Sequence, residues 1–245
     1  MVGSLDYETL CLLGSNIGIG DLDQVARLNR LCNDIGLDTI ETGGTLGVLA
    51  EGGLFEFGDF ARAEGLIREV GNGTPLGRMV GSGAAVCGKA LGVERVPVVK
   101  NQGMAAYDPR VIKGNGVTYA TSPMGADHTA ANTITVQTDH TDPSDKMEVS
   151  RSLQVFTTVL DTLGMCIFTG RAVVLDPTVI EEFIEHYLDW KVSFDELKET
   201  AKETLGKERE FNRLAGIGEA QDRIPGYMKR EPLPPLNTVF DVAGC

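Results

Sequence analysis

One short pattern occurs twice and constrains what this chain folds into. Residues 33–38 read Asn-Asp-Ile-Gly-Leu-Asp, and residues 161–166 read Asp-Thr-Leu-Gly-Met-Cys. Each copy follows a helix-like stretch and has Gly fourth, an apolar residue fifth and a residue able to bind metal sixth. A polar residue three positions before a Gly is typical of a helix end that leads into a tight turn. We therefore predict two turns that grip two sides of one large cofactor; the alternative is a chance match.

Charge and cysteine content exclude several classes of protein. The chain of 245 residues has 22 basic and 35 acidic residues and a net charge of -13. This balance argues against binding to nucleic acid or anionic membranes, and the longest apolar stretches are interrupted too early to span a membrane. Five scattered cysteines fit neither a disulfide framework nor a zinc finger. The N-terminus lacks the basic residues of a signal peptide, so we expect a reducing cytoplasm.

Helix signals dominate the chain. The sequence predicts helices over 21–35, 59–70 and 147–162, one that starts at Asp176-Pro177, and one from the capping box Ser193-x-x-Glu196 to about 206 or further. Residues 1–20 are expected to be mostly loop, 36–50 are rich in small residues, and 71–90 are rich in glycine. With no run of alternating strands, we predict a mainly α, multihelical fold of two all-α domains, 1–142 and 143–245, divided at the polar loop 139–145.

Three side chains and one loop are candidates for chemistry. Glu8 stands beside an apolar segment, where burial would raise its pKa and let it transfer protons, although a partly exposed Glu explains the sequence equally well. His128 lies in a small-residue loop and suits either proton transfer or a structural role. The apolar neighbours of Cys166 suit an inert buried thiol or an iron–sulfur ligand. Residues 83–90 nearly form a phosphate-binding P-loop but lack its final Ser or Thr.

A set of short motifs, in order along the chain, carries a family resemblance. The motifs are Tyr7-Glu8-Thr9-Leu10, Leu13-Gly14-Ser15-Asn16, residues 31–40, Tyr107-Asp108-Pro109-Arg110, Lys113-Gly114, Tyr119-Ala120-Thr121-Ser122, Gly125-Ala126-Asp127-His128 and Asp161-x-x-Gly164-Met165-Cys166. Their order and approximate spacing resemble the aldehyde ferredoxin oxidoreductase family of tungsten enzymes. The match extends over most of the chain, and the set is specific although no single motif is.

The resemblance implies two mostly helical domains that cover one tungsten–bispterin (molybdopterin) cofactor. Each pattern would hold one pterin, through Asn33, Asp34, Gly36, Leu37 and Asp38 in the first copy and through Asp161, Gly164 and Met165 in the second. Cys166 would be the fourth ligand of a [4Fe–4S] cluster. Glu8 and His128 match an acidic residue and a histidine near the metal, where they would handle protons while a water or hydroxide oxygen adds to an aldehyde. Electrons would then pass through the cluster to ferredoxin.

The sequence departs from the family in three places. Asn33 stands where the second copy has Asp161, and small polar residues follow His128 where some relatives have a basic contact. The family's N-terminal pterin-binding domain and its Cys-x-x-Cys-x-x-x-Cys run do not occur in this sequence. We therefore expect the C-terminal portion of such an enzyme, inactive alone and binding neither tungsten nor a stable cluster, because one thiolate cannot hold a cubane.

Two alternatives and several properties stay open at this point. One alternative is a non-catalytic helical binding or assembly domain that retains the scaffold, and the other is the P-loop nucleotide binder. The expected partners are the missing N-terminal domain (in cis or in trans), ferredoxin and a small aldehyde. The choice between tungsten and molybdenum, the identity of the substrate and the formation of a homo-oligomer are not determined by the sequence.

Overall fold

The computed structural model describes residues 5–245, and within that range the chain is mainly α and multihelical, as predicted. Seven helices precede the polar loop: α1 (Tyr7–Leu12), α2 (Leu22–Ile35), α3 (Thr39–Glu51), α4 (Phe60–Asn72), α5 (Pro75–Val80), α6 (Ala84–Leu91) and α7 (Lys113–Thr121). Strands β1 (Val98–Val99) and β2 (Gln102–Gly103) form a short antiparallel hairpin between α6 and α7.

Four helices follow the polar loop: α8 (Lys146–Thr162), α9 (Gly170–Leu175), α10 (Thr178–Leu188) and α11 (Phe194–Leu214). A 3₁₀ turn, Ile167–Thr169, connects α8 to α9. The last described residues run through two further 3₁₀ turns, Glu219–Gln221 and Gly226–Lys229, and end without a long helix.

Capping side chains place the helix ends close to their predicted positions. Asp21 accepts hydrogen bonds from the backbone at the start of α2, and Ser193 forms the expected capping box at the start of α11. Helix α4 begins after Asp59 as predicted but continues to Asn72, because Gly73 rather than Gly71 adopts the left-handed conformation that ends it (φ 64°).

Helices also form in segments that carry no clear helix signal, in α1, α3, α5, α6 and α7. Residues 1–4 of the predicted N-terminal loop lie outside the described part. Helix α3 contains Gly43, and a Cβ there would lie 2.6 Å from the backbone of Leu12. Gly weakens an isolated helix, but here it lets α3 pack directly on α1. Close packing therefore overrides the low helix propensity of this segment.

Three groups of buried apolar residues organise the described chain. The first group is formed by residues of the segment from α1 to α6. The third group joins α8 to α9, α10 and α11. The second combines residues 99–126 with residues 224–245, including Tyr119 and Phe240. Helix α8 contacts both α7 and α11, so helices on the two sides of the polar loop are packed together; the division into domains 1–142 and 143–245 stays a prediction.

Crossing a bilayer requires a helix that is both long and apolar. No single helix among residues 5–245 has the length and apolar character of a membrane span. One bent combination, Lys146–Thr162 with Ile167–Leu175, satisfies the length and composition limits jointly, with an angle of 114° between its parts.

Candidate active site

Glu8 lies in the first turn of α1 and is largely shielded from solvent. Its side chain is 12% exposed. One carboxylate oxygen, Oε2, accepts a hydrogen bond from the backbone N–H of Ala106 at 2.9 Å. Because this bond fixes one oxygen, the other oxygen, Oε1, is directed at a different partner.

That partner is His128, in the loop after α7. Its Nε2 atom lies 3.3 Å from Oε1 of Glu8, and its side chain is 18% exposed. The neighbouring Asp127 lies 3.8 Å from His128 Nδ1, too far for a hydrogen bond, and is itself held by the Thr129 hydroxyl and N–H. The structure thus brings together two predicted residues separated by 120 positions in sequence.

Two tyrosines enclose this pair, and the sequence had not singled them out. The Tyr107 ring lies 5.5 Å from the His128 ring and 5.3 Å from the Tyr7 ring. Burial, with a contribution from the Glu8 charge, raises the pKa of Tyr107, and burial together with Cys11 raises that of Tyr7 to about 12. Both hydroxyls stay protonated at neutral pH, and that of Tyr7 donates to the Ala106 carbonyl oxygen at 3.1 Å.

The first copy of the repeated pattern forms the predicted turn at the end of α2. Gly36 is left-handed (φ 83°), and the Leu37 N–H donates to the Cys32 carbonyl oxygen at 2.8 Å. Asp38 then begins α3 in an extended conformation (φ -68°, ψ 131°), and its Oδ2 accepts from the Glu41 N–H at 2.6 Å. Asn33, Asp34, Gly36 and Asp38 are all exposed.

The second copy repeats this backbone geometry at the end of α8. Gly164 is left-handed (φ 67°), and the Met165 N–H donates to the Leu160 carbonyl oxygen at 2.9 Å. Cys166 is extended (φ -66°, ψ 137°) at the start of the 3₁₀ turn. Partial burial, and then the charge of Asp127, raise the pKa of Asp161. The matching turns predicted from the sequence are confirmed as local structures.

Contacts connect both turns to the Glu8–His128 pair. On one side, the hydroxyl of Thr39, next to Asp38, lies 2.9 Å from the hydroxyl of Thr9, next to Glu8. On the other side, Asp161 and Thr129 line one cavity of about 270 Å³ between α8, α11 and the loop that carries His128. The residue after Glu8 thus contacts the residue after the first turn, and the residue after His128 shares a cavity with the start of the second turn.

Cys166 is exposed, which corrects the interpretation of its apolar neighbours as a buried wrapper. Leu163 and Met165 pack onto the core of the second half, but the thiol at the next position points away from it. Within residues 5–245, no three or more His, Cys, Asp or Glu side chains converge in a way that would hold a metal ion. The described residues thus offer one accessible thiol rather than a complete set of cluster ligands.

The near-P-loop at residues 83–90 does not form a phosphate site. Helix α6 begins in this segment, but the Ala84 N–H donates to Oε1 of Glu41 at 2.8 Å. The other oxygen of Glu41 accepts from the Gly103 N–H at 2.6 Å. Because a carboxylate already occupies the helix N-terminus, and its charge repels phosphate, the nucleotide-binding alternative is wrong.

Comparison with known proteins shows a match over nearly the whole chain. A family model for domains 2 and 3 of aldehyde ferredoxin oxidoreductase matches residues 2–240. The chain belongs to the aldehyde ferredoxin oxidoreductase family. It is similar to the tungsten-containing aldehyde ferredoxin oxidoreductases of Pyrococcus furiosus (27% identical) and Pyrococcus horikoshii (30% identical), each match covering 94% of this chain and 42% of the relative. A similar protein of Thermococcus kodakarensis is 29% identical.

Membership in the aldehyde ferredoxin oxidoreductase family confirms the resemblance drawn from the motifs. The chain spans about two fifths of the length of the relatives that it matches. The functional roles of the individual residues are not given by this match. Tyr7 shares a motif with Glu8, Asp127 shares one with His128, and Tyr107 begins a third motif of the set, so motif membership was the available signal for these overlooked neighbours.

Proposed function

We propose that this chain is the part of a tungsten–pterin oxidoreductase that covers the cofactor and handles protons while an aldehyde is oxidised to a carboxylic acid. The main support is the Glu8–His128 contact of 3.3 Å, together with a turn of matching geometry in each half of the chain. Family membership supports the reaction class.

The overall reaction converts an aldehyde and water into a carboxylic acid, two protons and two electrons. The tungsten–bispterin group, when bound, would supply the two-electron chemistry, and a bound iron–sulfur cluster would supply a one-electron route to ferredoxin. Glu8 accepts a proton from the attacking water through Oε1, because Oε2 is held by the Ala106 N–H. His128 relays this proton, and the Tyr107 ring keeps the imidazole in place.

The two turns have the chemical groups to hold pterins. Pterin rings present several N–H donors and acceptors, and the turns offer exposed carboxylates and one side-chain amide. Asn33, Asp34 and Asp38 with Gly36 and Leu37 would hold one pterin, and Asp161 with Gly164 and Met165 would hold the other. The raised pKa of Asp161 favours a carboxyl group that shares a proton with a ring nitrogen.

Cys166 would supply one ligand of a [4Fe–4S] cluster. Its exposure fits this role, because a cluster ligand must reach beyond the core of its own domain. The other three thiolates would come from the remainder of the protein.

An exposed apolar surface would receive that remainder. Phe168, two residues after Cys166, is 92% exposed, and Phe183 and Tyr187 stack one turn apart on the outside of α10 at 59% and 78% exposure. Apolar patches of this kind mark protein interfaces. Because Phe168 lies two residues from Cys166, we favour the N-terminal, pterin-binding part, in cis or in trans, as the partner of this surface. Ferredoxin and a small aldehyde complete the proposed partners, in the cytoplasm.

Residues 1–245 by themselves are expected to be inactive and to bind neither tungsten nor a stable cluster. Anaerobic purification followed by measurement of tungsten, molybdenum and iron tests this prediction. Stoichiometric metal in the 245-residue chain would contradict it.

The proposed roles are tested in the complete enzyme with Glu8→Gln and His128→Ala. Because each variant removes a proton-transfer group, we expect kcat to fall by roughly 10²- to 10⁴-fold, while tungsten and iron contents stay at the wild-type level. Glu56→Gln is the matched control, since Glu56 is an exposed carboxylate in the loop after α3. Wild-type turnover in both variants would remove these residues from the site and leave the scaffold-only alternative as the better description.

A further inference from the structure

The segment that follows His128 is attached to α7 by buried hydrogen bonds. Asn115, in α7, is fully buried. Its Oδ1 atom accepts from the Thr133 N–H at 2.7 Å and from the Thr133 hydroxyl at 2.8 Å. The Thr118 hydroxyl, one turn further along α7, donates to the Ala131 carbonyl oxygen at 3.0 Å. These bonds hold the chain just after His128 in a fixed position.

A glycine in α7 permits this attachment. A Cβ at Gly114 would lie 2.5 Å from the Thr133 hydroxyl oxygen, which is too close for two atoms that are not bonded to each other. Any larger residue would therefore push the segment away from the helix. The contact gives a physical reason for the glycine of the Lys113-Gly114 motif.

Hydrogen-bond partners determine which way two asparagine amides face. A backbone N–H can only donate, so the amide atom that it meets is the oxygen. The Thr133 N–H meets Oδ1 of Asn115, and the Ile134 N–H meets Oδ1 of Asn132 at 3.2 Å. Asn115 Nδ2 then donates to the same oxygen of Asn132 at 3.2 Å. Because Asn132 Oδ1 already accepts two bonds, its Nδ2 group is the part that can act on another residue.

The Tyr107 hydroxyl lies between this amide and Glu8. Burial is the largest cause of the raised pKa of Tyr107. A side-chain hydrogen bond with Asn132 lowers the pKa, as expected when the amide donates to the phenol oxygen, and one with Glu8 raises it, as expected when the carboxylate accepts the O–H. The hydroxyl thus has a donor on one side and an acceptor on the other.

We propose that Asn132 is a positioning residue that directs the Tyr107 O–H at the Glu8 carboxylate. A phenol has one proton, so an oxygen that accepts from Asn132 leaves this proton free to point at Glu8. The hydrogen bonds then run in one direction, from the Thr133 N–H through Asn115, Asn132 and Tyr107 to Glu8.

The inference rests on the proposed role of Glu8 as a proton acceptor. The Ala106 N–H holds one oxygen of the carboxylate, Oε2. A second contact, from Tyr107, restricts rotation of the carboxylate, and catalysis by a general base depends on such orientation. Asn132 would therefore act on the reaction only through Tyr107.

Asn132→Asp tests this role, because it replaces the Nδ2 donor by an acceptor of the same shape and keeps an acceptor for Asn115. The Tyr107 proton would then turn to the new carboxylate and away from Glu8. In the complete enzyme we expect kcat to fall at least about tenfold, with KM changed less than about threefold. Asn72→Asp is the control, since it adds the same charge at an exposed position at the end of α4. Wild-type kcat in Asn132→Asp would overturn the proposal.

Tyr107→Phe separates this role from a general structural one, because it removes the hydroxyl through which Asn132 acts. In the Tyr107→Phe background, Asn132→Asp should lower kcat by less than about a further twofold, since no phenol proton is left to redirect. A double variant whose loss equals the product of the two single losses would mean that Asn132 acts independently of Tyr107, and the proposal would be wrong.

NMR on the 245-residue chain examines the hydrogen bond itself, without the cofactor and without changing Asn132. Tyr107→Phe keeps the aromatic ring and removes only the hydroxyl. We expect one Nδ2 proton of Asn132 to move upfield in the nitrogen–proton correlation spectrum, while the side-chain amide signals of Asn72 stay in place. Unmoved Asn132 signals would overturn the proposal even if Asn132→Asp failed to fold.

The two kinds of measurement distinguish this inference from the proposed function. If the Asn132 signal moves but the complete enzyme oxidises no aldehyde, the proposed function fails and the hydrogen bonds through Asn132 stand. If the enzyme oxidises aldehydes and the Asn132 signals do not respond to Tyr107→Phe, the proposed function stands and the positioning role is wrong.

Discussion

At residues 33–38 and 161–166 the chain makes the same turn, but different contacts hold the two copies. Asp38 caps its own helix, α3, and that helix enters the core. Cys166 occupies the equivalent position with an exposed thiol, followed two residues later by the exposed Phe168. The same backbone geometry therefore places a helix-capping carboxylate at the sixth position of the first copy. In the second copy it places an accessible thiol, a group able to bind metal, at that position.

The helices that lead into the two turns are also fixed differently. Helix α2 is attached to α4 by an ion pair, in which Glu64 accepts from Arg27 at 3.0 Å. Helix α8 is attached to α7 by neutral hydrogen bonds, including that between the Ser150 and Thr118 hydroxyls at 2.7 Å. The two turns should therefore respond differently to chemical modification, acid and truncation.

The largest expected difference is in thiol reactivity. Burial raises the pKa of Cys32, at the first turn, to about 11, which leaves about one thiolate in a thousand at pH 8. The exposed Cys166 should therefore react with a maleimide at least about 100-fold faster in the native chain. Mass spectrometry of timed samples assigns each site. Labelling in denaturant is the control, where both should react alike; comparable native rates would show that the two turns are equally accessible.

The next effect is the acid sensitivity of the first turn. Burial alone would raise the pKa of Glu64, but hydrogen bonds from Arg68 and Arg27 lower it below the usual 4.5. The charged Glu64 carboxylate therefore makes its full contribution to the free energy of unfolding above about pH 4.5. This contribution is lost as the pH falls through the lowered pKa of Glu64. Glu64→Gln should cost about 1–3 kcal/mol at pH 7, and less in acid, where the wild type loses the same contact.

Native-state hydrogen exchange shows which helices lose stability when the Glu64 ion pair is removed. Amide protons of α2 should lose protection in Glu64→Gln and in acidified wild type, while those of α8 change less. Glu56→Gln, an exposed carboxylate in the preceding loop, should alter stability by less than about 0.5 kcal/mol. Equal loss of protection in α2 and α8 would mean that the ion pair does not support the first turn selectively.

The smallest expected effect compares truncations at the sixth position of each turn. Asp38→Ala removes a helix cap and should cost about 1 kcal/mol, whereas Cys166→Ala should change stability by less than about 0.5 kcal/mol because the thiol is exposed. Thermal unfolding of the 245-residue chain provides the measurement, with Asp21→Ala as a second capped position expected to resemble Asp38→Ala. If Cys166→Ala proved as costly as Asp38→Ala, its thiol would have a structural role.

Local signals were sufficient for much of the helical structure. Asp21, Asp59 and Ser193 mark helix starts because a capping side chain satisfies backbone groups within three residues of itself. The same locality explains why both left-handed glycines, Gly36 and Gly164, were found from the sequence. Helix α3 was missed because its double glycine suits a helix only when α1 lies directly against it.

By itself, the sequence determined the helical class, the two matching turns and the family, because each depends on local backbone chemistry or on the order of motifs. Only the tertiary structure brought Glu8 within 3.3 Å of His128, placed Glu41 at the start of α6 and left Cys166 exposed. Distances between distant residues, and the burial of a side chain, depend on how helices pack. Packing sums many weak contacts across the whole chain, so no short segment encodes its outcome.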